Sequence, residues 1–202
     1  MVVDHGCLMR MKKTITEISA QKRNRRRVNI SLDGSYAFSL DRLTAAWLRV
    51  GQKLSDSEIE DLQTRDEVEV GFTQALNLLS RRGRSTAEMT RYLEGKGYAP
   101  ATLKAVLARL QEEGLLDDDR FAREWIENRS TFRPRSLRLL KAELRFKGLD
   151  EPRIDSALVE SEVCDADLAM AAARKQAHRY LSSDYEHFRN KLGSALLRRG
   201  FS

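Results

Sequence analysis

Cysteine, proline and long apolar runs are all scarce in this chain. Cys7 and Cys164 are too few and too far apart for a disulfide framework or a zinc site, which fits a reducing cytoplasm. No apolar run approaches the roughly 18 residues needed to span a bilayer. Positions 1–11 hold Asp4, His5 and Arg10 and lack the apolar core of a signal peptide, so they read as a flexible leader. Three prolines and 11 glycines argue against a turn-rich all-β fold. His5, His178 and His187 are scattered, with no paired nucleophile and no zinc spacing. Gly95-Lys96-Gly97 closes a helical pattern instead of opening one, so it is no phosphate-cradling loop. The expectation is a protein that is not an enzyme, carries no cofactor or metal, and lies in no membrane.

What the chain does have is helix formers and repetition. Leu, Ala, Glu, Arg and Lys dominate after residue 41, which predicts a mainly α fold. Leu93-Glu94-Gly95-Lys96-Gly97-Tyr98 returns as Leu144-Arg145-Phe146-Lys147-Gly148-Leu149 and again as Leu196-Leu197-Arg198-Arg199-Gly200-Phe201. Each copy has a leucine, two variable positions, a basic residue, a glycine and a large apolar residue. The glycines lie 51 and 52 positions apart, which points to one small unit used several times in tandem. Arrays of that kind present extended surfaces, which favours macromolecular binding over catalysis.

The organisation read from the chain is a leader at 1–11, a small β-hairpin and helical module at 12–71, and three tandem units in an elongated array. The units span 72–116, 117–163 and 164–202. Val28, Ile30 and Leu32 alternate with polar residues, as do Tyr36, Phe38 and Leu40, and Asp33-Gly34 between them suits a tight hairpin turn. A third strand is expected over 14–20. Helices are expected over 41–50, 55–63 and 66–81, the second opened by a Ser55–Glu58 capping box. In the first unit Ser85-Thr86-Ala87-Glu88 forms another capping box, Gly97 terminates its helix, and Pro100 opens the next. Leu103, Val106, Leu107 and Leu110 give that helix an apolar stripe. The second unit repeats the order, with Asp117-Asp118-Asp119 reading as an N-cap and not a metal site. The third unit has two of the three helices before the chain stops at Ser202, through truncation or divergence.

This arrangement resembles the RecX family of bacterial recombination regulators. The likeness is carried by Ala75-Leu76-Asn77-Leu78-Leu79-Ser80-Arg81-Arg82, by Leu115-Leu116-Asp117-Asp118-Asp119-Arg120-Phe121-Ala122, and by the second and third copies of the echo. It covers the chain from about residue 72 to its end, while the leading hairpin resembles the N-terminal extension of longer members. The resemblance implies a monomeric cytoplasmic partner of the RecA recombinase, bound to its filament on single-stranded DNA. It implies modulation, mostly inhibition, of recombination, ATP hydrolysis and the coprotease activity of the SOS response. A DNA-binding protein acting alone through helix-turn-helix-like units on bare DNA is the alternative.

The chain carries 36 basic and 30 acidic residues, and positions 12–40 hold seven basic against two acidic. Two readings stand for Lys22, Arg23, Arg25, Arg26 and Arg27: phosphate contact, or a solvated strand-edge cluster that deters aggregation. Arg81, Arg82 and Arg84 end a helix, where cations complement the dipole or meet a partner. Arg129, Arg133 and Arg135 hold the comparable place in the second unit. Arg198 and Arg199 again follow a helix, which makes part of the basic pattern a consequence of the repeat. Trp47, Trp125, Tyr92 and Phe121 read as core aromatics. Phe146, between Arg145 and Lys147, reads as an exposed anchor for a protein or filament interface.

Overall fold

The computed structural model describes residues 12–181 and 184–202, so the leader expected over 1–11 lies outside the described residues. Chain contacts divide the protein into two compact units. One comprises the residues up to Leu78 together with Leu93–Ala108, and the other Leu79–Tyr92 together with Arg109–Ser202.

The first unit opens with strands β1 (Lys13–Ala20), β2 (Arg27–Leu32) and β3 (Ser35–Asp41), then a 3-10 turn (Thr44–Trp47), strand β4 (Lys53–Leu54) and helix α1 (Asp56–Leu79). The sheet order is β3-β2-β1-β4, antiparallel at each described pairing. Asp33 and Gly34 both take positive φ, 50° and 87°, as the tight turn between β2 and β3 requires. Alternation places Val28, Ile30, Leu32, Phe38 and Leu40 on one buried face with Ile15 and Leu54, and Ile59 and Leu62 of α1 pack against it. Both strand expectations hold.

Two helical expectations need correction. Residues 41–50 form a single 3-10 turn in place of a helix, because Ala45 and Leu48 face the core while Leu43, Trp47 and Val50 stand 78%, 87% and 64% exposed. The helices expected at 55–63 and 66–81 are one continuous α1. No glycine or proline interrupts 63–66, and Asp66 caps nothing. It is buried, accepting from the Arg27 guanidinium at 2.8 Å and from the Asp41 amide, and so ties α1 to the sheet. The Ser55–Glu58 box forms as expected, with the Ser55 amide donating to Glu58 at 2.7 Å.

Helices α2 (Thr86–Glu94), α3 (Pro100–Glu112), α4 (Asp118–Phe132), α5 (Leu137–Phe146), α6 (Glu151–Glu160), α7 (Asp165–Ala177) and α8 (Tyr185–Leu197) follow. Mainly α with tandem three-helix sets behind a small strand module is the observed fold. Helices α4, α5 and α6 enclose Phe121, Ile126, Leu144, Leu149, Ile154 and Leu158. Leu140, one turn before Leu144 on α5, joins Leu168, Ala172 and Phe201 in a separate cluster.

The echoed sequence has one physical cause. In all three copies the glycine takes the left-handed conformation, with φ of 83°, 88° and 84° at Gly97, Gly148 and Gly200. The following apolar residue donates its amide back to the carbonyl of the leucine, Tyr98 to Leu93, Leu149 to Leu144 and Phe201 to Leu196. This is a Schellman cap, and it folds the apolar side chain onto the helix it ends.

The cap also joins one set to the next. A Cβ on Gly148 would sit 2.3 Å from the Ala87 Cβ, and one on Gly200 would sit 2.4 Å from Ser136 Oγ. Ser85 Oγ donates to the Lys147 carbonyl, and the Ser136 amide donates to the Arg199 carbonyl. One residue on, the Thr86 amide donates to Asp118 and the Leu137 amide to Asp165, both at 2.7 Å. Each joint therefore binds the N-terminus of a middle helix to two points of the following set. Gly148→Ala combines the left-handed cost with a steric overlap and should lower stability by about 2–4 kcal/mol. Gly97→Ala, which meets nothing within 4 Å, should cost only about 1–2 kcal/mol. Urea denaturation of the two variants checks this, and equal losses would remove the close approach from the account.

Candidate functional site

The structure sorts the candidate cations by what already holds them. Arg27 is spent on Asp66 and on the Ser39 carbonyl. Arg82 grips Glu88 through two bonds of 3.0 Å, Lys147 reaches the same carboxylate at 2.7 Å, and Arg84 stands 3.9 Å from it. Of the Ser85 box only the serine half forms, with the Glu88 amide donating to Ser85 Oγ. The Glu88 carboxylate serves the cations instead. Burial pushes its pKa up, but hydrogen bonds from Arg82 and Lys147 and their charges outweigh that and bring it down to about 2.

A second hub forms around Glu143. It accepts from Trp125 Nε1 at 2.9 Å, Arg129 at 2.7 Å and Arg135 at 2.5 Å. The Arg129 guanidinium and the Lys147 ammonium lie over the Trp125 ring, 4.3 Å and 4.9 Å from its centroid. Trp125 and Phe121 pack as expected, and Phe146 is 77% exposed, as expected of an anchor.

Beside this hub lies a cleft of about 340 Å³ between the α4–α5 corner, α7 and the end of α8. Arg133, Arg135, Lys175, Arg198 and Arg199 line it, with Phe132, Pro134, Ala172 and Gln176, and no carboxylate does. Helix ends draw some of these cations inward. Lys175 donates to the last carbonyls of α4, and Arg199 donates to the Ala195 carbonyl. Arg133 and Arg198 make no side-chain hydrogen bond or ion pair with any described residue. Pro134 is fully buried and Ser136 is held by Arg199, so the corner is rigid. The neighbouring cleft of α4 and α6 makes the contrast. There Arg153 pairs with Asp119 at 3.0 Å and Arg123 with Glu160 at 3.4 Å, so both of its cations are already paired. The first cleft holds two guanidinium groups without a partner among the described residues and an exposed phenyl ring, Phe132, at its lip, a donor set that suits an anion.

The chain and its fold are similar to those of known proteins. Residues 13–55 match the regulatory protein RecX N-terminal domain, 72–110 the first RecX three-helix domain and 117–158 the second. Regulatory protein RecX of Bacillus licheniformis is 37% identical over 194 residues, which span 93% of this chain and 73% of that one. The chain belongs to the RecX family. Regulatory protein RecX of Bacillus subtilis is 40% identical over 146 residues, 71% of this chain and 55% of that protein. A crystal structure of a regulatory protein RecX superposes with a TM-score of 0.67 at 27% identity, covering 94% of this chain and 95% of the other. RecX from Lactobacillus salivarius gives a TM-score of 0.56 at 25% identity over 68% of this chain and 90% of that one.

These relatives are named as regulatory proteins. Among the described residues no cluster of His, Cys, Asp or Glu could hold a metal ion, and no helix is long and apolar enough to cross a membrane. Arg133 and Arg135 of the sequence candidates reach the basic cleft, Arg129 supports it through Glu143, and Arg81, Arg82, Arg84, Phe146 and Lys147 do not line it. Lys175 was missed, because it lies with Arg174 in the last turn of α7, where the helix dipole alone accounts for cations.

Glu88 gives this RecX-family protein a pH signature. Its folded pKa is below the ordinary 4.5, so its pairing contributes fully above about pH 4.5 and is lost as pH falls toward 2. Urea midpoints measured down that range should fall less steeply in Glu88→Gln than in the parent. Parallel slopes would mean that other carboxylates carry the acid sensitivity.

Proposed function

We propose that this protein binds the RecA filament on single-stranded DNA and inhibits it, lowering strand exchange, ATP hydrolysis and coprotease activity. It thereby acts, as a monomer in the cytoplasm, on recombination, repair and the SOS response. The carboxylate-free cleft at the α4–α5 corner is the observation that carries this reading, in a chain of the RecX family. Its two unspent arginines suit the phosphates of a bound strand, and Arg135, Lys175 and Arg199 add field without needing to move. The serine–glycine joints support it as well, because they hold successive helix sets at fixed spacing. Several modest contacts in one stiff frame give high avidity on a polymer whose subunits repeat.

Filament ATP hydrolysis against added protein, with bare DNA as competitor, tests the reading. The protein should inhibit, and bare DNA should compete poorly. Arg133→Ala with Arg198→Ala should weaken inhibition at least about tenfold, since each removes a charge-assisted contact. Equal affinity for filament and bare DNA would point instead to an autonomous DNA-binding protein.

A further inference from the structure

The 3-10 turn after β3 has three residues per turn, so positions three apart share a face. Ala45 and Leu48 face the core of the strand module. Leu43 and Ala46 face a cleft of about 590 Å³ with Arg25, Arg26 and Arg42 on its walls. Thr44 and Trp47 take the remaining face, and Trp47 is 87% exposed, the most exposed large apolar residue described. The core anchors on either side of it hold the indole outward.

Arg25, Arg26 and Arg42 on the cleft wall, and Arg49 two positions after the indole, make no side-chain hydrogen bond or ion pair with any described residue. The Arg42 amide donates to the Arg26 carbonyl at 2.7 Å, which fixes the two loops side by side. Of the two carboxylates on the cleft, Asp41 accepts from the Leu43 amide at 2.9 Å, and Glu69 already has a partner. Arg27, next in the same run, is consumed by Asp66. The fold thus pairs Arg27 and leaves Arg25, Arg26 and Arg42 without a side-chain partner among the described residues, on the cleft of the same turn that carries an exposed indole.

We propose that this turn is a second contact for single-stranded DNA, separate from the α4–α5 cleft. One unpaired base stacks on Trp47, and the phosphates flanking it meet Arg25, Arg26 and Arg42. Indole plus guanidinium groups match the two features that a single strand presents, an open base face and a charged backbone. A duplex offers only the second, because its bases are already stacked. The choice of DNA rests on the filament reading above.

The chain has two tryptophans, so Trp125→Phe leaves Trp47 as the only indole. In that protein oligo(dT) of about 20 nucleotides should quench the emission and shift it. In case Trp125→Phe disturbs its packing, the parent protein with Trp47→Ala gives a second measurement. Binding of labelled oligo(dT), followed by anisotropy, should weaken roughly tenfold in Trp47→Ala and much less in Trp47→Phe. Arg25→Ala with Arg26→Ala should reduce the salt slope of log affinity by about 1.4. Unchanged affinity in Trp47→Ala, tighter binding to duplex or to oligo(rU), or an emission change produced only by DNA-free RecA would each overturn the site. No recombinase enters the DNA titrations, so the two readings fail separately. Quenching by oligo(dT) with filament ATP hydrolysis untouched keeps this site and removes the filament role. Inhibition of the filament with Trp47 silent does the reverse.

Discussion

A serine at the start of α2, and another at the start of α5, meets the residues at the glycine that ends the middle helix of the next set, and the second unit is built on that contact. Ser85 reaches the Lys147 carbonyl ahead of Gly148, and Ser136 takes the Arg199 carbonyl ahead of Gly200. Only a residue without a Cβ permits the approach, and only a left-handed residue turns the last carbonyls outward to be met. The same joint carries the aspartates at the head of the following set, Asp118 and Asp165, onto the next amides. Since the basic cleft is bounded by one of these joints, through Pro134, Ser136 and Arg199, its geometry is inherited from the repeat.

Much of this was legible in the chain because it is local. The capped helix ends came from glycine placement, the hairpin from Asp33-Gly34, and the core of α4–α6 from helical spacing. What failed was the helix expected over 41–50 on the spacing of Leu43, Trp47, Leu48 and Val50. Of these only Leu48 faces the core, together with Ala45, whose small side chain gives a weak periodic signal. The split of α1 failed for the opposite reason. A polar stretch without breakers stays helical when its two ends are pinned, here by Ser55 and Glu58 at the start and by Asp66 on the sheet.

The site was less legible than the fold, since sequence counts charges but does not pair them. Lys22 to Arg27 reads as one run, yet Arg27 is structural while Arg25 and Arg26 are unspent. Arg82, Arg84 and Lys147 converge on a glutamate that the sequence assigned to a helix cap. The basic cleft gathers residues from α4–α5, α7 and the end of α8, with 40 positions from Arg135 to Lys175 and 23 from there to Arg198, and no spacing rule joins them.

Pairing decides which cations respond to an anionic polymer. An arginine already bonded to a carboxylate must give up that partner to take a phosphate, so its net gain is small. It also has few condensed counterions to release, and it adds little to the dependence of binding on salt. By that argument the 36 basic residues reduce to a few that matter. Arg133 and Arg198 in one cleft, and Arg25, Arg26 and Arg42 on the cleft of the 3-10 turn, are unpaired among the described residues. Glu88 and Glu143 do the complementary work, holding five cations in internal pairs and so removing them from the set that an anionic polymer can engage cheaply.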